Sequence, residues 1–357
     1  MPRYHECHRR LPLRDAGTVE FASDDPGACE LLEELAGGGE VRGNGRVWKL
    51  EFDRCEPFLR LVDALHRRLD VSRFDAVRCR IAYPEEEQAP APSERAPESD
   101  GWLPARFLFV GTDHDRVADL IVNRRFTSYM QPIVQPGGRR VGYEFLLRPL
   151  PEQPPFRPAQ LFDAAREAGL HSFLDREARH SAIRLASSHV PAGVKKFVNF
   201  LPSSLYRPSE CLKDTFRLIR EFGMDPEDFV FEVVETERMD DPRHWLDVFD
   251  VYRREGIRLA MDDVGEKFAT VEVAERLRPD YVKLDRKWIA GCHADADKQR
   301  HIDDVLERVS RFHGVVLAEG VEDEKDWRYL AQAGIGLMQG YCFGFPAPVP
   351  LPAAVRG

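Results

Sequence analysis

Seven short apolar runs in this chain each end in an acid, an amide or a lysine. They are Val141-Gly142-Tyr143-Glu144, Lys195-Lys196-Phe197-Val198-Asn199, Phe229-Val230-Phe231-Glu232, Arg258-Leu259-Ala260-Met261-Asp262-Asp263, Tyr281-Val282-Lys283, Val315-Val316-Leu317-Ala318-Glu319 and Gly336-Leu337-Met338-Gln339. Carboxylate and amide oxygens are hard ligands that suit Mg²⁺ or Mn²⁺, and no histidine or cysteine shares these positions to favour zinc. A lysine among them can offset developing negative charge. Such a set, brought to one place, implies a hard-metal site able to cleave a phosphate ester.

Bringing them together falls to the elements around them. Apolar runs of this length lying between helical patterns read as buried parallel strands. A polar group at the C-terminal end of each places all of them on one rim of a β/α barrel, where such folds carry their chemistry. Helical patterns fall near 161–169, 174–188, 209–222, 243–255, 270–277, 298–313 and 324–333. Tyr129–Val134 and Val141–Leu147 are separated only by residues 135–140, too few for a helical crossover, so they pair as an antiparallel hairpin. The expected fold is therefore α/β, a modified TIM (β/α)8 barrel with an inverted first strand.

The chain has 357 residues, long enough for two domains. A proline-, glutamate- and alanine-rich stretch, 84–112 in its widest reading, forms a linker. Before it, residues 1–83 form a small α+β domain with strands at 18–22 and 47–52 and helices at 26–36 and 56–69. After it, residues 113–357 form the barrel, entered through a helix at 113–125. Hydrophobic residues at 43% and charged ones at 31% indicate a globular protein, and a net charge of −10 argues against binding a DNA or RNA polymer. The seven scattered cysteines suggest no disulfide framework, hence a reducing cytoplasm. No apolar run is long enough for a membrane span or a signal peptide, so no membrane partner is expected.

Region 113–350 resembles an EAL domain, the bacterial phosphodiesterase module for cyclic di-GMP. The likeness rests on eight motifs in order: Gln131-Pro132-Ile133-Val134, Tyr143-Glu144-Phe145-Leu146-Leu147-Arg148, Val198-Asn199-Phe200-Leu201-Pro202, Phe231-Glu232-Val233-Val234-Glu235, Met261-Asp262-Asp263-Val264-Gly265, residues 279–285 around Lys283, Ala318-Glu319-Gly320-Val321-Glu322 and Gln339-Gly340-Tyr341. The resemblance implies two divalent cations, Mg²⁺ or Mn²⁺, with Ca²⁺ inhibitory. Glu144, Asn199, Glu232 and Asp262 would hold the first; Asp262, Asp263 and Glu319 would hold the second. Lys283 would orient the attacking water, with Gln339 bonded to that water or to a ligand of the second ion. Arg148 would hold the distal phosphate, and Gln131 would line the base and ribose pocket. Glu235 would steady the loop after its strand. The implied product is linear pGpG, and the implied assembly is a homodimer through the barrel.

Each residue also has a plainer reading. Asp262-Asp263 could cap a helix, Asn199 could form a turn before Pro202, and Glu144 could pair with an arginine. Lys283 could pair with Asp285, and Glu319 and Glu322 could cap the next helix, the reading preferred for Glu322. His5, Cys7 and His8 could bind metal, but no second pair at zinc spacing follows. The chain departs from the family pattern twice. Phe145 replaces a small residue, and its strand position turns it away from Glu144, toward the helices. Val264-Gly265-Glu266-Lys267-Phe268-Ala269 stands where active members have Phe-Gly-Thr-Gly-Tyr-Ser, and Lys267 costs the backbone freedom of a glycine. That loop leaves open a second function, a receptor that binds cyclic di-GMP with little or no turnover. A third is an interaction module that binds no nucleotide.

Overall fold

A computed structural model describes residues 16–36, 40–42, 45–52, 55–70, 73, 76–82, 102–105, 114–205, 208–233, 242–264 and 271–350. The chain divides into two compact units, Met1–Arg125 with Pro155–Leu174, and Phe126–Pro154 with Asp175–Gly357. Among the described residues no helix is long and apolar enough to cross a membrane.

The first unit carries a sheet of five strands: β1 (Gly17–Ser23), β2 (Glu40–Arg42), β3 (Gly45–Phe52), β4 (Val77–Ala82) and β5 (Leu103–Pro104). Their order is β2-β3-β1-β4-β5, and every pairing is antiparallel. Alternation sets its two faces. Val19, Phe21, Trp48, Phe52, Val77 and Cys79 are buried, as are the apolar stripes of helices Pro26–Ala36 and Cys55–Arg68. Glu20 faces the other way and pairs with Arg80, which stacks on Trp102 at 5.3 Å. Three strands escape the sequence reading. β4 reads Val-Arg-Cys-Arg-Ile-Ala, whose arginines mask its alternation, while β2 and β5 are too short to show a period. Leu103–Pro104, assigned by sequence to the linker, is paired with β4. Helices His114–Val122 and Pro158–Glu167, assigned to the barrel, group with this unit.

The second unit is the closed barrel. Its strands are β6 (Phe126–Val134), β7 (Arg140–Pro149), β8 (Lys195–Phe200), β9 (Phe229–Val233), β10 (Arg258–Val264), β11 (Tyr281–Leu284), β12 (Val315–Ala318) and β13 (Leu337–Gln339). They close in the order β10-β11-β12-β13-β6-β7-β8-β9. β6 runs antiparallel to both neighbours and all other pairings are parallel, so the inverted first strand is present.

An apolar plug of Ile133, Phe197, Val230, Ala260, Leu317 and Leu337 fills the barrel interior, with Val141, Tyr281 and Val315 against it. Gly142 leaves room in that layer: a Cβ there would lie 3.1 Å from the Lys195 carbonyl and 3.3 Å from the Phe197 ring. Strand residues two apart share a face. The next interior position on each strand is polar: Gln131, Glu144, Asn199, Glu232, Asp262, Lys283, Glu319 and Gln339. On β6 the step runs backward, from Ile133 to Gln131, because that strand is inverted. The intervening residues face outward into a helix-covered core, where Phe145 belongs to one buried cluster with Ile183, Ala186 and Val198, as its parity requires.

Gly340 lets the end of β13 lie against the turn that follows Glu319. Val321 N–H donates to the Gln339 carbonyl at 3.0 Å, and a Cβ on Gly340 would sit 2.1 Å from the Val321 carbonyl oxygen. Backbone on backbone cannot yield cheaply. Gly340→Ala should therefore lower the thermal midpoint by about 4 °C or more; an unchanged midpoint in a melting scan would contradict this packing.

Candidate active site

Register aligns the ring. Glu144 lies opposite Gln131 across the β6–β7 pair, and Asn199 lies opposite Glu232 across the β8–β9 pair. The β10–β11 register shifts by a bulge: Met261 pairs with Val282 and Val264 with Leu284, so the backbone of residues 262 and 263 lies opposite the single residue Lys283. An extra residue of this kind re-aims side chains at the end of a strand.

Lys283 is the hub, with 1% of its side chain exposed. Its Nζ lies 2.6 Å from Glu319 Oε1, 2.8 Å from Glu232 Oε2, 3.1 Å from Asp262 Oδ1 and 3.6 Å from Glu144 Oε1. Amides close the other side. Asn199 Nδ2 donates to Glu144 Oε1 at 3.1 Å, and Gln339 Nε2 donates to Glu144 Oε2 at 2.7 Å and to Gln131 Oε1 at 3.1 Å. Gln131 Nε2 in turn donates to the Gly344 carbonyl at 3.4 Å.

Burial and mutual charge split the acids. Burial pushes the Glu144 carboxyl up, but the Lys283 ammonium with the Gln339 and Asn199 amides outweighs it and holds Glu144 below the usual range. Burial drives Glu232 and Glu319 well above that range, aided by the neighbouring Asp262 and Glu144 charges and only partly opposed by Lys283. Burial alone would lower Lys283; the four surrounding acids more than reverse this and fix it as a cation.

The donor set fits a hard cation. Every ligand atom on offer is oxygen, and two of them, Glu232 Oε1 and Gln339 Oε1, are buried without a hydrogen-bond partner. Among the described residues no three His, Cys, Asp or Glu side chains are grouped so that they could hold a metal ion. Glu144, Glu232, Asp262 and Glu319 each reach the Lys283 ammonium within 3.6 Å, and Asn199 bonds to Glu144.

Several readings change here. Gln131, expected to line the base and ribose pocket, is also hydrogen-bonded to Gln339 in the ring. Glu319 does not cap a helix, and neither does Glu322. The carboxylate that accepts from Lys325 N–H at 2.7 Å is that of Asp323, one residue closer to the helix, while Glu322 pairs with Arg286 at 2.9 Å. Asp285 caps its own short helix through Lys287 N–H at 2.8 Å, leaving Lys283 to the ring. Asn199 lies within β8. Arg148 is four residues beyond Glu144 on the same face of β7, half-buried, and donates to the Leu147 carbonyl; it does not bond to the ring. The Asp263 side chain, Glu235, residues 265–270 and His5, Cys7 and His8 lie outside the described residues.

One supporting acid was not foreseen. Asp175, buried in helix His171–His189, accepts from Leu201 N–H at 2.9 Å and from the Ser204 hydroxyl, and pairs with Arg179. It fixes the turn directly after Asn199. Its only signal in the sequence is an acid beside the apolar Phe173-Leu174 pair.

A family model described as EAL domain matches residues 114–346. The probable cyclic di-GMP phosphodiesterase PdeG of Escherichia coli (strain K12) is 28% identical over 238 residues, 63% of this chain and 45% of that protein. The blue light- and temperature-regulated antirepressor BluF of the same strain is 24% identical over 251 residues, 69% of this chain and 60% of that protein. A solved structure of a standalone versatile EAL protein from Vibrio cholerae O395, in its c-di-GMP-bound form, is 28% identical with a TM-score of 0.56, covering 62% of this chain and 94% of that one. The chain thus spans less than two thirds of either curated relative.

Glu232 gives the site a sign-definite pH test. An acid whose folded pKa is raised contributes its full stability below the ordinary carboxylate range and loses it as pH rises through and above that range. In chelator at pH 8, Glu232→Gln should melt about 2 °C or more above the unmodified chain, and the gap should close toward pH 5. A lower midpoint for the variant at pH 8 would contradict the assignment.

Proposed function

The chain belongs to the EAL domain family, and from that premise we propose that it is a metal-dependent phosphodiesterase that hydrolyses cyclic di-GMP to linear pGpG. The observation that carries this reading is the intact ring. A barrel that had lost its chemistry would have no reason to keep one polar side chain on every strand, nor to bury four acids around a single lysine, since buried charge costs free energy without an offsetting role.

In this reading Glu144, Asn199, Glu232 and Asp262 hold one Mg²⁺ or Mn²⁺, and Asp262, Asp263 and Glu319 hold a second. When bound, such ions supply an activated water and charge neutralisation for an in-line displacement at phosphorus. The chain's own residues do the rest. Asn199 and Gln339 donate to opposite oxygens of Glu144 and so fix its plane. Lys283 stands where it can orient the water and offset charge that builds at the phosphate. Arg148 takes the distal phosphate, and Gln131 meets a base or ribose. Glu235 steadies the loop beyond β9. The nucleotide is the partner of this site; a homodimer through the barrel and a reducing cytoplasm complete the proposal.

Purified protein given cyclic di-GMP with Mg²⁺ or Mn²⁺ should release pGpG, and Ca²⁺ should not support turnover, its longer and looser coordination being ill-matched to a two-ion site. Glu144→Ala should cut turnover by about 100-fold or more. Tight nucleotide binding with no product under either metal would contradict the enzymatic reading.

That contrary outcome is the second reading, a receptor, and one observation favours it: Lys267 stands in the loop where active relatives have glycine. If the loop limits the rate, Lys267→Gly should raise kcat about threefold or more by restoring backbone freedom. Unchanged kinetics would remove the loop from the account.

A further inference from the structure

The Lys283 side chain does more than stand beside the acids. Four separate carboxylates approach its ammonium within 3.6 Å, from β7, β9, β10 and the end of β12. Elements that contribute only acids to a common point would push one another apart; the ammonium is what they share. The other inward groups at this level, Asn199, Gln339 and Gln131, are neutral amides, so Lys283 is the only cation bonded into the ring among the described residues. A divalent ion seeking Glu144, Glu232, Asp262 and Glu319 together meets the same oxygens that Lys283 already holds.

We propose that Lys283 is the ring's resident cation: it keeps the acids assembled in the metal-free protein, and metal enters by exchange, the ammonium giving up part of its carboxylate set. Lys283 is then a positioning residue that sets the threshold concentration of metal, in addition to any part in turnover. This rests on the ring being a cation site, but not on which ester it cleaves. The oxygens Glu232 Oε1 and Gln339 Oε1, buried without a hydrogen-bond partner, are left to bond an ion once it has entered. Lys196 supplies a built-in control. It is equally buried, but on an outward-facing position of β8, bonded to Asp228 and to the Pro191 and Val194 carbonyls, away from the ring.

Two measurements on the full chain, with metal alone and no nucleotide, test this. First, Mg²⁺ is titrated calorimetrically into chelator-stripped protein. Lys283→Met should bind Mg²⁺ about tenfold tighter or more, because a like charge at the site has gone, whereas Lys283→Arg, which keeps the charge, should bind no tighter than the unmodified chain. Lys283→Met that binds no tighter than unmodified protein overturns the proposal. If the Met variant folds only when Mg²⁺ is present, that also supports it. Second, NMR of the lysine ammonium groups in the unmodified chain covers the case in which the variant folds under neither condition. The Lys283 signal, sheltered from exchange, should shift or vanish on adding Mg²⁺ while that of Lys196 stays put. A Lys283 signal indifferent to saturating Mg²⁺ overturns the exchange. Hydrolysis of cyclic di-GMP with either overturning result would leave the enzymatic reading intact and remove only this one; exchange without hydrolysis would do the reverse.

Discussion

The site depends on one buried ammonium among four carboxylates. Acids gathered at a closed barrel's mouth repel one another at distances where little water screens them. Lys283 offsets that repulsion from the centre, and the Asn199 and Gln339 amides orient Glu144 from the side. The balance is unequal by design of position. Glu144, served by two amides as well as the lysine, stays ionised, while Glu232 and Glu319 resist ionisation. Such a cluster is poised for added positive charge, and oxygen-only ligands select hard cations to bring it.

The barrel makes this balance possible by separating two jobs by height. One layer, from Ile133 to Leu337, is apolar and supplies burial; the layer two residues further along every strand is polar and supplies chemistry. Lys283, with 1% of its side chain exposed, sits above this plug, and low local dielectric strengthens its ion pairs. Inverting β6 leaves the pattern intact, since parity rather than direction decides which side chains face inward. At Gly142 a side chain would crowd the apolar layer, and at Gly340 it would collide with the backbone that closes the rim.

Much of this was legible in the sequence because strand parity is a strict rule. Once the apolar runs were taken as strands, Glu144, Asn199, Glu232, Asp262, Lys283, Glu319 and Gln339 had to share a rim, and the short gap at 135–140 had to invert β6. What parity does not encode was missed. The β10 bulge, which sets the backbone of residues 262 and 263 opposite Lys283, has no marker in Met261-Asp262-Asp263-Val264. The Gln131–Gln339 hydrogen bond forms only after closure brings β13 beside β6. Asp323 rather than Glu322 caps its helix because the cap depends on where the chain turns, a matter of one residue. Asp175 acts from a helix far in sequence from Leu201 and Ser204. Strand β4 hid behind two arginines, and Leu103–Pro104 is too short to read.

Crystals soaked in Mn²⁺ and cyclic di-GMP, measured at the manganese absorption edge, would show whether these side chains form one cation site at the mouth of the barrel. Two anomalous peaks are expected within the ring, one among Glu144, Asn199, Glu232 and Asp262 and one toward Asp263 and Glu319, each against a phosphate oxygen. Nucleotide bound with no peak in the ring, or manganese found only elsewhere on the protein, would contradict such a site.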